Sequence, residues 1–107
     1  KDEAEDLFLQ AIDMAKKDTA QYSGELNQAY SKICGLKFEA NEYNTVIKLA
    51  KEWVDYFPKK HVPYLYLAVG YHGLKNKGQA CKYYKKVLSI DSDNNMARKN
   101  LKSLQCP

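Results

Sequence analysis

Residues 61–94 read HVPYLYLAVGYHGLKNKGQACKYYKKVLSIDSDN, and how they are read decides the fold. By composition the stretch is basic and aromatic, the mixture expected of a nucleic-acid surface. By spacing it is a helical hairpin. Pro63 stands in a first turn, where a missing N–H costs nothing. Tyr64, Leu67, Ala68 and Tyr71 then recur at helical intervals, and Ala80, Cys81, Tyr84, Val87 and Leu88 do the same after a glycine-containing turn. Ala68 and Ala80 are small enough to let two antiparallel backbones approach, while Tyr71 and Tyr84 fill the space around them. Lys82, Lys85 and Lys86 fall on the solvated side. Nucleic-acid recognition wants aromatic rings exposed beside the cations, and here only Tyr83 is left without a packing role. The spacing argues against nucleic acid.

Helical periodicity extends outward in both directions. Ala4, Leu7, Phe8, Ala11, Ile12 and Ala15 form a first apolar stripe. Leu26, Tyr30, Ile33 and Phe38 form a second, with Asp18, Thr19 and Ser23 as candidate caps. Tyr43, Val46, Ile47, Ala50, Trp53 and Val54 form a third, which Phe57-Pro58 ends. A short last helix carries Met96, Ala97, Leu101 and Leu104. β-Branched residues are sparse, and no Asn-Gly or Asp-Gly turn separates alternating runs. The expectation is an all-α antiparallel array with helices over 3–17, 20–39, 42–56, 62–74, 77–90 and 95–105, and no sheet.

Tyr64-x-x-Leu67-Ala68-x-x-Tyr71 followed by Ala80-x-x-x-Tyr84, Val87 and Ser92 resembles the tetratricopeptide-repeat pattern. Thirty-four residues earlier, Tyr30, Ile33, Cys34, Val46, Ala50, Trp53 and Pro58 occupy the matching slots. Lys37 stands there in place of a tyrosine, so Gly35 and Phe38 would fit better with a turn one residue shorter. Ala11, Ile12 and Ala15 repeat 35 residues before Val46, Ile47 and Ala50. The resemblance divides a single domain, 1–107, into a partial unit 1–26, repeats 27–60 and 61–94, and a capping helix in 95–107. Lys102 replaces the small residue of the next unit, so the array stops there. Such families stack hairpins into a right-handed superhelix whose concave side holds a peptide or a partner helix. The groove the resemblance implies is formed by Gln28, Ser31, Lys32 and Gly35, then Val62, Leu65, Tyr66, Val69 and His72, with Met96, Lys99 and Asn100 from the last helix. Its middle is apolar and aromatic, with lysines at its ends. The carboxylate-gripping set of the family is not reproduced at these slots.

Chemistry is otherwise thinly supplied. The 107 residues are 45% hydrophobic and 28% charged, ordinary for one globular domain. No run approaches the ~18 apolar residues of a membrane span. No secretory leader opens the chain, which reads as a mature protein or an excised piece. His61 and His72 are the only histidines and neither has an acid–base motif nearby. HExxH, CxxC pairs, P-loops and GxGxxG are absent, and Glu3, Glu5, Asp6 and Asp13 read as a wet helix face. Neither a catalytic residue, a metal site nor a cofactor is expected, and Trp53 reads as core.

Two features bear on partners and compartment. The net charge of +4 hides an acidic half, residues 1–58 at −4, and a basic half, residues 59–107 at +8. Cys34 reads as a buried packing residue. Cys81 and Cys106 admit two readings. Two free thiols fit a cytoplasmic protein. A disulfide, which an antiparallel last helix could close, implies a periplasmic or secreted one. The functional expectation is a non-enzymatic scaffold for a protein or peptide partner, with an uncapped N-terminal end through which copies could associate. The alternatives are an accessory domain of a larger enzyme or regulator, and a binder of nucleic acid or an anionic surface through the basic half.

Overall fold

The computed structural model describes residues 3–107. The side chains of Glu3, expected on the wet face of the first helix, of Ala4 in its stripe, and of Thr19, a candidate cap, lie outside the description. Six helices follow one another: α1 Glu3–Lys17, α2 Thr19–Glu39, α3 Tyr43–Tyr56, α4 His61–Gly73, α5 Lys77–Ile90 and α6 Asn95–Ser103, with no strand among the described residues. Each helix packs on the next, and α2 also touches α4. The expected all-α array is therefore present, with most boundaries within a residue or two.

Local chemistry explains where the helices start and stop. Asp18, one of three candidate caps, accepts from the Gln21 N–H at 3.2 Å. Asn76 and Asn94 cap α5 and α6 by the same bond, from Gln79 and Ala97, each satisfying a first-turn donor. The backbone of α2 leaves helical geometry at Tyr22, which bends this long helix. Asn41, Lys75 and Gln105 follow the ends of α2, α4 and α6 with φ near +60°. The next residue in each case donates back to the helix: Glu42 to Lys37, Asn76 to Tyr71, Cys106 to Leu101. These are Schellman closures.

Asn41 and Lys75 stand 34 residues apart, as do the starts of α3 and α5 and the starts of α4 and α6. The turn after α2 is thus no shorter than the turn after α4, and the expectation of a one-residue contraction is corrected. Lys37 keeps the slot in which Tyr71 sits one unit later. It does so because Glu5 and Glu42 reach it, at 2.8 and 3.4 Å.

The core forms two linked clusters. One gathers Ile12 and Ala15 of α1 with Leu26, Ala29, Tyr30, Ile33 and Cys34 of α2 and Leu49 and Trp53 of α3. The other gathers Ile47 and Ala50 with Tyr64, Leu67, Ala68, Ala80, Tyr84, Val87 and Ala97. Ala68 and Ala80 are fully buried, as close helix approach requires. Trp53 stacks on Tyr30 with ring centroids 6.0 Å apart, and its indole N–H donates to Asn27 Oδ1 at 2.8 Å. Leu7, expected in the α1 stripe, is instead 63% exposed, because α1 packs through the face that carries Ile12 and Ala15. Tyr83 stacks on Tyr71, centroids 5.8 Å apart and nearly parallel, which gives that tyrosine the packing role its sequence position did not show.

Cys81 and Cys106 are joined by a disulfide across Cα atoms 5.7 Å apart, so of the two readings the structure has the bridge. It ties the end of α6 to the first turns of α5. Cys34 is a buried free thiol.

Candidate partner-binding groove

Along α4, Val62, Leu65, Tyr66, Val69, His72 and Gly73 fall on one stripe, with the i, i+3, i+4, i+7 spacing of a single helix face. This stripe lines a groove of about 620 Å³, a volume in the range of ligand-binding clefts. Ser31 and Phe38 of α2, Tyr43 of α3, Tyr84 of α5, and Met96 and Asn100 of α6 complete the lining. No lining residue is a carboxylate or a lysine.

Of the residues expected at this site, Ser31, Val62, Leu65, Tyr66, Val69, His72, Met96 and Asn100 are brought together here. Gln28, Lys32 and Lys99 are exposed and stand outside the lining. Gly35 abuts Tyr66: a methyl at its Cα would sit 3.4 Å from the Tyr66 hydroxyl. Phe38, Tyr43, Gly73 and Tyr84 were not expected. Phe38 and Tyr43 meet ring to ring, centroids 5.8 Å apart. Gly73 is the reason they fit, since a Cβ there would lie 2.6 Å from the Tyr43 ring. Gly73 and Tyr43 lie 30 residues apart, at the far ends of α4 and α3, so no short-range pattern in the sequence could have located this rim.

Tyr66 is held from beneath. Its ring lies 5.8 Å from that of Trp53, which Asn27 and Tyr30 fix in place, and it packs against both core clusters. Burial pushes the Tyr66 hydroxyl above its ordinary pKa, with Cys34 and Glu39 adding to the rise. The ring therefore faces the groove as a neutral, rigid surface.

The groove has one polar corner. Asn100 Nδ2 donates to the Tyr84 hydroxyl at 3.1 Å. That hydroxyl lies 3.0 Å from His72 Nδ1, and the two rings meet edge to face. The Tyr84 hydroxyl thus links Asn100 of α6 to His72 of α4 in one chain of close polar contacts. Burial pushes the Tyr84 hydroxyl up to about 12, and the Asn100 bond works against that rise.

Among the described residues no group of histidines, cysteines and carboxylates could hold a metal ion, and no helix is long and apolar enough to cross a membrane. Fold and groove together define an all-helical protein with an apolar, aromatic cleft and a polar corner at His72, Tyr84 and Asn100. No protein-family model matches the chain, and no curated protein matches it.

Proposed function

We propose that this chain is a non-enzymatic scaffold of the tetratricopeptide type, its hairpins stacked as a right-handed superhelix, which holds an apolar segment of a protein partner in the groove. The observation that carries the reading is the single α4 stripe that lines a 620 Å³ apolar cleft. The 34-residue offset between turns and helix starts supports the repeat assignment. The partner's apolar side chain rests on Tyr66, Val69 and Met96, as an interface anchor in a water-excluding pocket does. A polar backbone group of the partner beside it meets the corner formed by His72, Tyr84 and Asn100. Lys32 and Lys99, each one position from a lining residue, favour carboxylates in the flanking chain. The Cys81–Cys106 bridge suits an oxidising compartment.

Selection of binding segments from a displayed random-peptide library tests this. The expected survivors carry one large apolar residue, and Tyr66→Ala or Val69→Asp reduces their binding at least tenfold, while Lys16→Ala, away from the groove, does not. Survivors that bind both groove variants unchanged would sink the assignment.

A further inference from the structure

Between Asp55 and Asp91 the chain contains no carboxylate, yet it contains seven lysines, at 59, 60, 75, 77, 82, 85 and 86. Among the described residues none of these lysines makes an ion pair, whereas Lys16, Lys37 and Arg98 elsewhere do. The whole α4–α5 hairpin is thus positively charged without compensation. That charge is concentrated where α3 and α5 meet Tyr71. The Lys51 ammonium lies 6.0 Å over the Tyr71 ring, Tyr71 stacks on Tyr83, and the Lys82 ammonium lies 5.2 Å from the Tyr83 ring. The result is a continuous strip, lysine–tyrosine–tyrosine–lysine, that runs from α3 over Tyr71 of α4 to α5. One helical turn extends it on each side: Lys48 precedes Lys51 and Lys85 follows Lys82. With the 34-residue offset, Lys82 and Lys85 are the repeat equivalents of Lys48 and Lys51. Asp55, one turn beyond Lys51, is the carboxylate that this face carries. None of the four lysines or two tyrosines lines the groove.

We infer that this lysine–tyrosine face of α3 and α5 is a second binding surface, and that it adsorbs to the phosphate headgroups of an anionic lipid bilayer. Two observations favour a bilayer over a polynucleotide. Each half-buried tyrosine gives one face to the other ring and has a lysine ammonium set over it, so the pair is not the open platform on which a base stacks. The Cys81–Cys106 bond suits an oxidising compartment, where bilayer surfaces are present and polynucleotides are scarce. The lysines are spread across two helices as separate point charges on flexible stems, which suits a plane of mobile headgroups. Each such lysine strengthens adsorption about fivefold, so four acting together give a measurable but salt-sensitive attachment.

Vesicle co-sedimentation with the whole chain tests the inference, using phosphatidylcholine vesicles with and without phosphatidylglycerol. Binding is expected only to the vesicles that contain phosphatidylglycerol, and it should fall as salt rises. The variant K82E/K85E should lose at least about 30-fold in affinity, from two lysines at about fivefold each. The variant K32E/K99E, which changes the net charge equally beside the groove, should keep the larger part of its binding. Far-UV circular dichroism establishes that both variants fold, and the salt dependence of the unaltered chain stands as a separate readout if either does not. Equal binding to both vesicle types, or equal losses in the two variants, would overturn the inference. Tighter binding to a single-stranded oligonucleotide than to vesicles at matched salt would also overturn it.

Discussion

The ammonium of Lys37 lies 2.8 Å from the carboxylate of Glu5, and only 8% of the lysine side chain is exposed. Glu42 stands on its other side at 3.4 Å, so one buried cation ties α1 and the α2–α3 turn to α2. A lysine this far from water is tolerable only while it is paired. Glu5→Ala should therefore cost about 1–3 kcal/mol, less than the roughly 3–5 for leaving a buried charge with no partner, since Glu42 remains. Lys37→Met alone leaves Glu5, only 16% exposed, without its cation. The double variant Lys37→Met/Glu5→Gln removes the demand on both sides, and should cost less than Glu5→Ala or even stabilise. Urea unfolding of the double variant and Glu5→Ala decides it. If the double variant is the more damaging, the pair is a net source of stability and the argument fails.

The alkaline limb of the stability curve should be steep. The Glu5 hydrogen bond, against some burial, holds Lys37 above its ordinary 10.5. Burial and the nearby Glu52 push the Cys34 thiol from 9.0 to about 12, and burial pushes Tyr84 from 10.0 to about 12. Tyr30 rises for the same reason, with Glu52 accepting its hydroxyl proton at 3.0 Å. In every case the folded pKa is the higher one. Each contribution is whole below the unfolded pKa and is lost as pH climbs toward the folded value. Stability should thus be level up to about pH 9 as far as these groups are concerned, and fall between about 9 and 12. Urea midpoints across that interval measure it. Tyrosinate absorbance should show a late phase from Tyr30, Tyr66 and Tyr84 that disappears in denaturant; a single phase identical in both states would contradict the burial.

Much of this architecture was legible because it rests on short-range rules. The spacing of Tyr64, Leu67, Ala68 and Tyr71 named a helix face, and the resemblance to the tetratricopeptide pattern implied that Leu65, Tyr66, Val69 and His72 form the groove side. Legibility ended where a residue's partner is distant in the chain. Lys37 looked like a misfit because Glu5 lies 32 positions away. Phe38 looked like core because its partner, Tyr43, lies across a turn whose shape depends on a positive φ at Asn41. Tyr83 had no visible role until Tyr71 came alongside it. Leu7 fits a helical stripe as well as Ile12 does, and periodicity does not say how wide the buried face is.

Reduction should act on the groove from outside it. α6 has nine residues, with Ala97 alone fully buried, and a helix that short is marginal without tertiary support. The Cys81–Cys106 bond closes a loop of 25 residues, worth about 3 kcal/mol by chain entropy. α6 also supplies Met96 and Asn100, and Asn100 holds the Tyr84 hydroxyl that meets His72. Under a dithiol reductant the unfolding midpoint should fall, α6 amides should exchange faster than those of α3, and groove-binding peptides should weaken. Alkylation of unfolded, unreduced protein should label Cys34 only. Labelling of all three cysteines would remove the bridge and the coupling together.

The turn after α4 offers a direct test of the repeat geometry. Lys75 has φ of 62°, in the left-handed region, as Asn41 does at 61° one unit earlier. Asparagine enters that region readily, whereas the lysine Cβ crowds its own carbonyl there. Lys75→Gly removes the crowding but gives the unfolded chain more freedom, so the net gain should be about 0.5–1 kcal/mol. Asn41→Gly should gain less, because asparagine is already suited to the site and Asn41 Oδ1 accepts the Tyr43 hydroxyl at 2.8 Å. Lys75→Pro should be strongly destabilising. It demands a negative φ and deletes the Lys75 N–H that donates to the His72 carbonyl at 3.0 Å. Thermal melts of the three variants order them. A Lys75→Gly protein no more stable than the parent, beside an Asn41→Gly protein that gains, would mean that the two turns are not equivalent and that the 34-residue repeat does not govern their backbone.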